Sequence, residues 1–349
     1  MLDYIIVGFG ISGLSFAEQL RKEGKEFVVI DQEKESSSLV AGGMYNPVIL
    51  KRFTSPWNAT EQLNYAIPFY KCIERFLDDE FLQPFPVLRI FNAIEEQNNW
   101  LIASDKPSLS AYLSSKFVLN TNKSIEAKYN YGEVLQAGRL HVAKLLQSYK
   151  LILLSRNQYS CEKFKYDALH LNSDSVTYKT LTAKKIVFAE GYGMVNNPYF
   201  NYLPLNGTKG EVLIIKADEL QLNSIVKSGV FIIPLEVNNH YLVGATYHWT
   251  DKTWGTTLEA QQELKTKLDL FLKCDYEIVN QLAGIRPTVK DRKPLVGSHP
   301  KHHNMYILNG MGTRGVMVAP ITSKQLYDAI EHNVPPDEAI NITRFHASS

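Results

Sequence analysis

The chain has 349 residues, of which 45% are hydrophobic and 21% are charged, and this balance is typical of a folded globular protein. Its length exceeds a typical single core, so we expect two closely joined domains. A formal net charge of +1 gives no global reason to expect a nucleic acid or an anionic membrane as the partner.

The cysteines and histidines do not indicate a metal site. Cys72, Cys161 and Cys274 are far apart and form no C-x-x-C, which favours a reducing compartment, and we expect the cytoplasm. The histidines between 299 and 303 lack the neighbouring carboxylates or thiols that complete a metal site. No apolar run approaches the roughly 20 residues that span a bilayer, so we expect no membrane helix.

A dinucleotide-binding turn is predicted at the start of the chain. Residues 4–7 and 27–30 are typical of buried parallel strands, and a helical pattern lies between them. Glycines after the first strand allow a tight turn, a close approach to a diphosphate and tight packing of the helix. The acid after the second strand is placed to accept hydrogen bonds from a ribose. The residues predicted to bind are Gly8, Gly10, Ile11, Ser12, Gly13, Asp31 and Gln32. The alternative is an unrelated glycine turn, and this motif alone does not separate FAD from NAD.

A loop of small residues follows the second predicted strand. Residues 36–47 are rich in serine, alanine and glycine, which lets the backbone run close to a flat ligand. A mobile surface linker is the alternative, but such a linker does not need the apolar side chains at 40, 44 and 45. The residues that we predict to contact a ligand here are Ala41, Gly42, Gly43 and Met44.

The middle of the chain is predicted to cross into a second domain. Residues 61–77 are typical of an amphipathic helix, and Pro84 and Pro86 then begin a β-rich stretch. Residues 140–146 favour another helix, and the apolar residues 151–154 favour a strand.

The chain is then predicted to return to the first domain. Residues 168–171 and 176–178 flank a turn and indicate a hairpin. Residues 186–191 form a buried strand that ends in small residues, so Ala189 and Gly191 are expected at the ligand edge of the sheet.

An antiparallel sheet is predicted in the second domain. Residues 210–215, 229–234 and 241–246 are strand-like runs with no helix between them, and residues 258–272 favour a helix. The strand 305–308 then leads into a glycine cluster, which a helix over residues 319–330 follows.

These motifs together resemble the D-amino-acid oxidase superfamily, nearest to its glycine oxidase branch and to the flavin domain of the bifunctional bacterial enzyme that modifies the wobble uridine of certain tRNAs. The resemblance implies FAD and an α/β (α+β) fold, in which a Rossmann-like FAD-binding domain of the glutathione-reductase type joins an antiparallel-sheet substrate domain. The implied FAD-binding domain comprises residues 1–80, 136–207 and 276–349, and the substrate domain comprises residues 81–135 and 208–275. The matching stretches are 6–31, 41–47, 186–191, 210–215, 230–246 and 284–320.

The Arg286-Pro287 pair is the most specific part of this resemblance, which implies that Arg286 holds the carboxylate of the substrate. A guanidinium stays charged and grips a carboxylate through two parallel hydrogen bonds, which fixes the substrate's orientation. The alternative is an internal ion pair of Arg286 with Asp291 or Glu190.

The C-terminal glycine cluster is implied to lie at the flavin ring, with Arg314 as a second catalytic residue. A helix N-terminus there favours negative charge on the ring. The implied contacts are Gly310, Gly312, Thr313, Arg314, Gly315 and Val316. A glycine-rich turn without a ligand is the alternative.

The sequence departs from the glycine oxidase pattern at Phe231, where relatives have a tyrosine that helps to bind the carboxylate. A second carboxylate contact is therefore missing or comes from another residue. No cysteine lies between residues 286 and 316, where sarcosine oxidase relatives attach FAD covalently, so we expect noncovalent FAD.

The resemblance implies oxidation of the C–N bond of an amino acid or N-substituted glycine, with hydride transfer to the flavin and hydrolysis of the imine. One alternative is the same chemistry on a carboxymethylamino-modified tRNA base. A nicotinamide dehydrogenase explains the first 31 residues but not the C-terminal motifs, and a flavin-binding scaffold without turnover is a further alternative. The candidate contacts for tRNA, which are otherwise a solvated basic surface, are Lys290, Arg292, Lys293, Lys301, His302 and His303.

Overall fold

The computed structural model describes residues 1–345. Its helices, numbered along the chain, are α1 (Ile11–Lys22), α2 (Ser37–Val40), α3 (Ala59–Leu77), α4 (Ile94–Ser104), α5 (Val142–Ser155), α6 (Leu258–Asp269) and α7 (Gly315–Glu331). Its strands are β1 (Leu2–Val7), β2 (Phe27–Asp31), β3 (Met44–Tyr45), β4 (Leu82–Pro84), β5 (Val87–Ile90), β6 (Leu113–Val118), β7 (Tyr131–Val134), β8 (Gly138–Leu140), β9 (Tyr159–Cys161), β10 (Leu169–Leu171), β11 (Val176–Tyr178), β12 (Leu181–Phe188), β13 (Thr208–Lys216), β14 (Ile225–Lys227), β15 (Phe231–Pro234), β16 (His240–Gly244), β17 (Glu277–Arg286), β18 (Leu295–Ser298) and β19 (Met305–Asn309).

The first sheet has a core of parallel strands in the order β19-β12-β1-β2-β9. The predicted hairpin of β10 and β11 is confirmed and pairs with the start of β12. Tyr4, Ile5 and Ile6 are fully buried, because β1 lies in the middle of the sheet with both faces covered. The carboxyl ends of β1, β2, β12 and β19 meet at one edge, which we call the cradle edge.

Helix α7 packs against both α1 and α3 beside this sheet. The helix predicted over 61–77 is confirmed as α3, and the one predicted from 319 begins earlier, at Gly315. Pro320 lies inside α7 and has no N–H to donate to the carbonyl of Val316. The hydroxyl of Tyr70 donates to that carbonyl instead, at 2.8 Å, and so joins α3 to α7.

The second sheet has the strand order β17-β13-β16-β15-β14-β5-β7-β6. The predicted antiparallel strands of its first half are confirmed as β13, β15 and β16. Strand β17 lies outside the predicted substrate domain, yet it is paired with β13 along its whole length. We therefore assign β17 to the second sheet. The rest of the predicted division into domains stays a proposal, and its residues 346–349 lie outside the described part of the chain.

One hydrophobic core joins the two sheets. It runs from Ile6 and Leu14 in the first unit to Trp100, Val212 and Ile233 in the second. A third, small sheet has the strand order β3-β8-β4. Among residues 1–345, no helix combines the length and the apolar character that crossing a membrane requires.

The strand predicted over residues 151–154 is wrong, because these residues are the second half of α5. The buried positions Val142, Leu145, Tyr149 and Leu153 repeat at helical spacing, whereas Leu151 is 56% exposed. The leucine-rich run suggested a buried strand only when it was read apart from the preceding turns of the helix.

We expect Gly13→Ala to destabilise the fold severely. A Cβ at Gly13 would lie 2.0 Å from the carbonyl oxygen of Gly8, and that backbone cannot retreat without disturbing β1. The expected loss in the free energy of unfolding is about 3 kcal/mol or more, measured by urea denaturation. The control is Gly255→Ala, whose Cβ meets open space. Equal unfolding midpoints for the two variants would contradict the close packing of α1 on β1.

We expect Glu331→Gln to show a pH-dependent loss of stability. Burial raises the pKa of Glu331, but hydrogen bonds from Lys185, Lys25 and Tyr4 outweigh it and lower the pKa to about 2. A depressed pKa in the folded state means that the carboxylate stabilises the fold above its ordinary value of 4.5, and that this contribution is lost as the pH falls towards 2.

The variant is therefore expected to lose roughly 1–3 kcal/mol at pH 7, and the difference from wild type should shrink between about pH 4.5 and 2. Denaturation at a series of pH values measures both effects. Glu277→Gln, at the exposed start of β17, is the control. A difference that does not change with pH would rule out this assignment.

Candidate active site

The glycine turn after β1 leaves backbone donors unused at the cradle edge. Gly8 has a φ of +96°, which lets the chain turn sharply from β1 towards α1. The first helical hydrogen bond runs from the amide of Leu14 to the carbonyl of Gly10, at 2.9 Å. The amides of Ser12 and Gly13 are therefore left for a ligand, at the positive end of the helix dipole.

Asp31 ties this turn to the next strand. Its Oδ1 accepts a hydrogen bond from the amide of Phe9 at 3.0 Å, and its Oδ2 accepts from the amide of Glu33 and the hydroxyl of Tyr159. An ionised carboxylate has about four acceptor positions, so one stays available for a ribose hydroxyl. Gln32 follows and is half-buried.

The loop from Ser36 to Gly43 is packed between the two sheets. The hydroxyl of Ser38 accepts a hydrogen bond from the amide of Ile11 at 3.1 Å, so the loop touches the glycine turn. On its other side, the carbonyl of Gly42 accepts from Arg139 at 3.2 Å. These contacts disfavour the mobile-linker interpretation of Ala41 to Met44, and β3 begins at Met44.

The end of β12 contributes Ala189, Glu190 and Gly191 to the cradle edge. The amide of Ala189 donates to the carbonyl of Val7 at 2.8 Å, which places it beside the glycine turn. The carboxylate of Glu190 accepts hydrogen bonds from Tyr166 at 2.5 Å and from Asn197 at 2.7 Å, and burial raises its pKa to about 7. Glu190 thus has neutral partners.

The C-terminal glycine cluster meets the N-terminal motif. A Cβ at Gly315 would lie 3.0 Å from Cγ2 of Ile11, so α7 begins against the start of α1. Gly312 has a φ of +58°, and its amide donates to the carbonyl of Pro287 at 3.1 Å. The glycine turn after β1, the glycine cluster before α7 and the Arg286-Pro287 pair are therefore adjacent. Gly310 and Thr313 belong to the same turn, and Val316 lies in the first turn of α7.

Arg314 is half-buried at the N-terminal end of α7, and its Nε is an unused donor. Its Nη2 donates to Oε1 of Gln62 at 2.6 Å, while its Nε is buried and has no hydrogen-bond partner among residues 1–345. Burial lowers the pKa of Arg314 to about 10, so the guanidinium stays charged at neutral pH. A buried charged donor without a partner is costly, and a ligand acceptor removes that cost.

Arg286, at the end of β17, lies between the backbone of Gly210 and the ring of Tyr247. A Cβ at Gly210 would lie 2.1 Å from Nη2 of Arg286, so only glycine leaves room for the guanidinium there. On the other side, Cζ of Arg286 is 4.3 Å from the centroid of the Tyr247 ring. Nη1 donates to the carbonyl of Thr246 at 3.2 Å. Burial lowers the pKa of Arg286, and Tyr247 partly offsets this.

The two internal ion pairs considered for Arg286 are absent from the described part of the chain. Asp291 pairs with Arg344 at 2.8 Å, and Glu190 has the neutral partners given above. Arg286 has no carboxylate within ion-pair distance in residues 1–345. Its charge is therefore available to an anionic ligand.

Phe231 also faces this region, from β15. It is paired with Gly244 of β16, which in turn is paired with Val212 of β13, so the three side-chain positions share one face of the second sheet. Phe231 has no polar atom in its side chain, and it supplies no second contact for a carboxylate.

Sequence reasoning missed Ser38, Gln62 and Tyr247. Gln62 is 1% exposed on the apolar face of α3, and a polar residue at such a position is a signal that could have been used. Ser38 lies inside the loop that was predicted to bind. Tyr247 directly follows a predicted strand, and nothing in the sequence distinguishes it from the other tyrosines.

The six basic residues considered for tRNA do not form one surface. β18 and β19 are antiparallel, and the turn from 299 to 304 joins them at the end remote from Gly310. Lys301, His302 and His303 therefore lie at the opposite edge of the first sheet from the cradle. Lys290, Arg292 and Lys293 lie before β18, on the cradle side.

The residues of this site fit FAD. Unused amides at the starts of α1 and α7 suit a diphosphate and an electron-rich ring edge, and the unpaired Nε of Arg314 needs an acceptor. Gly312 has open space where a Cβ would stand, so a flat ring can approach its backbone. In residues 1–345 no group of histidine, cysteine and carboxylate side chains could hold a metal ion.

Comparisons with known proteins agree with this geometry. The chain is 22% identical over 93% of its length to the tRNA 5-methylaminomethyl-2-thiouridine biosynthesis bifunctional protein MnmC of Marinobacter nauticus, and it spans 55% of that protein. It is 23% identical to glycine oxidase of Pseudomonas putida over 93% of both chains. The crystal structure of glycine oxidase from Bacillus cereus superposes with a TM-score of 0.79 at 17% identity, covering 97% of this chain and 96% of that one.

The family and fold predictions are thus confirmed, with a Rossmann-like FAD-binding domain beside a second sheet. Family membership also favours FAD over the nicotinamide alternative. Because residues 3–329 match the model of the DAO family, described as FAD dependent oxidoreductase, this chain belongs to the DAO family of FAD-dependent oxidoreductases.

Proposed function

We propose that this protein oxidises the C–N bond of an amino acid or an N-substituted glycine. The observation that carries the proposal is the guanidinium of Arg286, which has no carboxylate partner in residues 1–345 and whose neighbour Pro287 is bonded to Gly312 of the glycine cluster before α7. FAD, when bound, supplies the hydride acceptor, and water hydrolyses the imine product to a carbonyl compound and an amine.

Arg286 orients the substrate in this proposal. Two parallel hydrogen bonds from its guanidinium fix the carboxylate plane, and therefore also the direction of the Cα–H bond. Gly210 and Tyr247 cover the two faces of the guanidinium, so the substrate reaches its edge, where the donors point. The neutral amine form of the substrate can lose its Cα hydrogen as hydride, so the reaction does not require a strong base.

Arg314 and the start of α7 act electrostatically. The charge of Arg314 and the partial positive charge of the helix N-terminus both favour negative charge at this place. Gln62 fixes the side chain through Nη2, which leaves Nε to donate to the cofactor. These groups are in position before the reaction starts, so little reorganisation is needed.

A second candidate is the same oxidation on a carboxymethylamino group of a tRNA base. The similarity to MnmC favours it, and so do Lys290, Arg292 and Lys293 on the cradle side. Only these three of the six basic residues are on the correct side, so the small-molecule substrate is the stronger proposal.

The first test is cofactor content and substrate choice. We expect purified protein to be yellow, with about one FAD per chain that heat or acid releases, because no cysteine is available for attachment near the flavin. Anaerobic bleaching of the flavin is then measured with amino acids, N-substituted glycines and modified tRNA. Bleaching by a free amine carboxylate, with little salt dependence, supports the main proposal. Bleaching only by tRNA, with affinity that falls steeply with salt, supports the second candidate.

The second test is Arg286→Lys. A lysine ammonium is a single point charge and cannot make the two parallel bonds, so we expect KM for the carboxylate substrate to rise about 10- to 100-fold. Steady-state kinetics measures this change. The control is Arg75→Lys, an exposed arginine of α3. If Arg286→Lys and Arg75→Lys have the same KM, Arg286 does not bind the substrate.

A further inference from the structure

Tyr247 is an exposed aromatic residue in direct contact with Arg286. Its side chain is 55% exposed, although its ring stacks on the guanidinium at 4.3 Å. Its hydroxyl makes no hydrogen bond to any residue between 1 and 345. Tyr247 thus presents an unused donor to solvent beside the group that we propose to bind a carboxylate.

The backbone on both sides of Tyr247 is held by β13. The amide of Thr246 donates to the carbonyl of Glu211 at 3.1 Å, and the hydroxyl of Thr246 accepts from the amide of Glu211 at 2.9 Å. His248 and Lys209 exchange two backbone hydrogen bonds, each of 3.0 Å. Tyr247 lies between two fixed residues, so its backbone and the direction of its Cα–Cβ bond are fixed as well.

Buried charges hold the following segment in the same way. Lys209 is fully buried, and its Nζ donates to Asp251 at 2.6 Å and to Thr253 at 3.0 Å. The buried carboxylate of Glu211 accepts from the amide and the hydroxyl of Thr257, both at 2.9 Å. A buried lysine and a buried glutamate are costly unless paired, and here each binds the segment after Tyr247.

The alternation of side chains places Tyr247 on the face of Arg286. Lys209 is paired with Ile285 of β17 and with His248, so these three residues share one face of the sheet. Arg286 directly follows Ile285 and Tyr247 directly precedes His248, so both lie on the opposite face, together with Gly210. Phe231 lies on this face as well, and its side chain has no polar atom.

From these contacts we infer that Tyr247 is a specificity-determining residue, whose hydroxyl donates the second hydrogen bond to the substrate carboxylate that Arg286 binds. The inference rests on the proposed function. One carboxylate oxygen lies between the guanidinium edge and the hydroxyl, while the ring restricts the guanidinium to a single orientation. A substrate without a carboxylate loses both contacts.

The test is the binding of acetate, a carboxylate that cannot be oxidised at a C–N bond, to the holoenzyme by isothermal titration calorimetry. Tyr247→Phe keeps the ring on Arg286 and removes only the hydroxyl. We expect its dissociation constant for acetate to rise about ten-fold or more, as for the loss of a hydrogen bond to a charged group. KM for the best carboxylate substrate should rise similarly, with kcat changed much less.

The matched control is Trp249→Phe, a half-exposed aromatic two residues further along, which should bind acetate like wild type. Acetate binding by Tyr247→Phe within two-fold of wild type would overturn the inference. Arg286→Lys distinguishes a failure of the role of Tyr247 from a failure of the proposed function. If it weakens acetate binding and Tyr247→Phe does not, only the role of Tyr247 fails. If neither variant changes acetate binding, the proposed function fails too.

Discussion

The contact between the starts of α1 and α7 is the constraint on which the site depends. A Cβ at Gly315 would lie 3.0 Å from Ile11, so residues more than three hundred positions apart present their free amides side by side. The bond from Gly312 to Pro287 then holds the end of β17 at the same place. Close packing at Gly315 and the hydrogen bond from Gly312 therefore bring three distant segments together at one site, and a larger side chain at position 315 would push α7 away from α1.

The electrostatics of this site are unusual for a protein interior. Arg286 and Arg314 are largely buried, and neither has a carboxylate partner in residues 1–345. The fully buried charges Lys209 and Glu18, by contrast, are paired with Asp251 and Arg21. Burying an unpaired guanidinium costs free energy that folding alone does not recover. In the proposed function, a bound cofactor and an anionic substrate supply the missing partners, so the ligands would stabilise the site.

The sequence was sufficient to predict the glycine turn after β1, the central strands β1, β2, β12 and β19 of the first sheet, and β13, β15 and β16 of the second. The tight turn after β1 requires glycine at position 8, and the close packing of α1 on that turn requires glycine at position 13. The spacing of these glycines is visible in the sequence and predicts the turn. Buried strand segments such as Tyr4 to Val7 of β1 and Ile186 to Phe188 of β12 are continuous apolar runs, which the sequence shows equally clearly. The prediction for residues 151–154 is wrong because four apolar residues are too few to show the helical spacing of buried positions, which becomes visible only together with residues 142–149.

Side-chain partnerships could not be predicted. Whether Arg286 is paired or free depends on where Asp291 and Glu190 point, and only the fold fixes the contacts of Asp291 with Arg344 and of Glu190 with Tyr166. Tyr247 was missed for the same reason, since its place over Arg286 follows from the pairing of His248 with Lys209. The separation of Lys290 from Lys301 likewise follows from the antiparallel pairing of β18 with β19.

A crystal structure of the protein with FAD and acetate is the most direct test of the claim that both chain ends face one cofactor and its substrate. The account predicts the diphosphate at the amides of Ser12 and Gly13, the flavin ring at the turn from Gly310 to Gly315, and the acetate at hydrogen-bond distance from the guanidinium of Arg286. A flavin ring that lies away from that turn, or an acetate that binds without contact to Arg286, would contradict it.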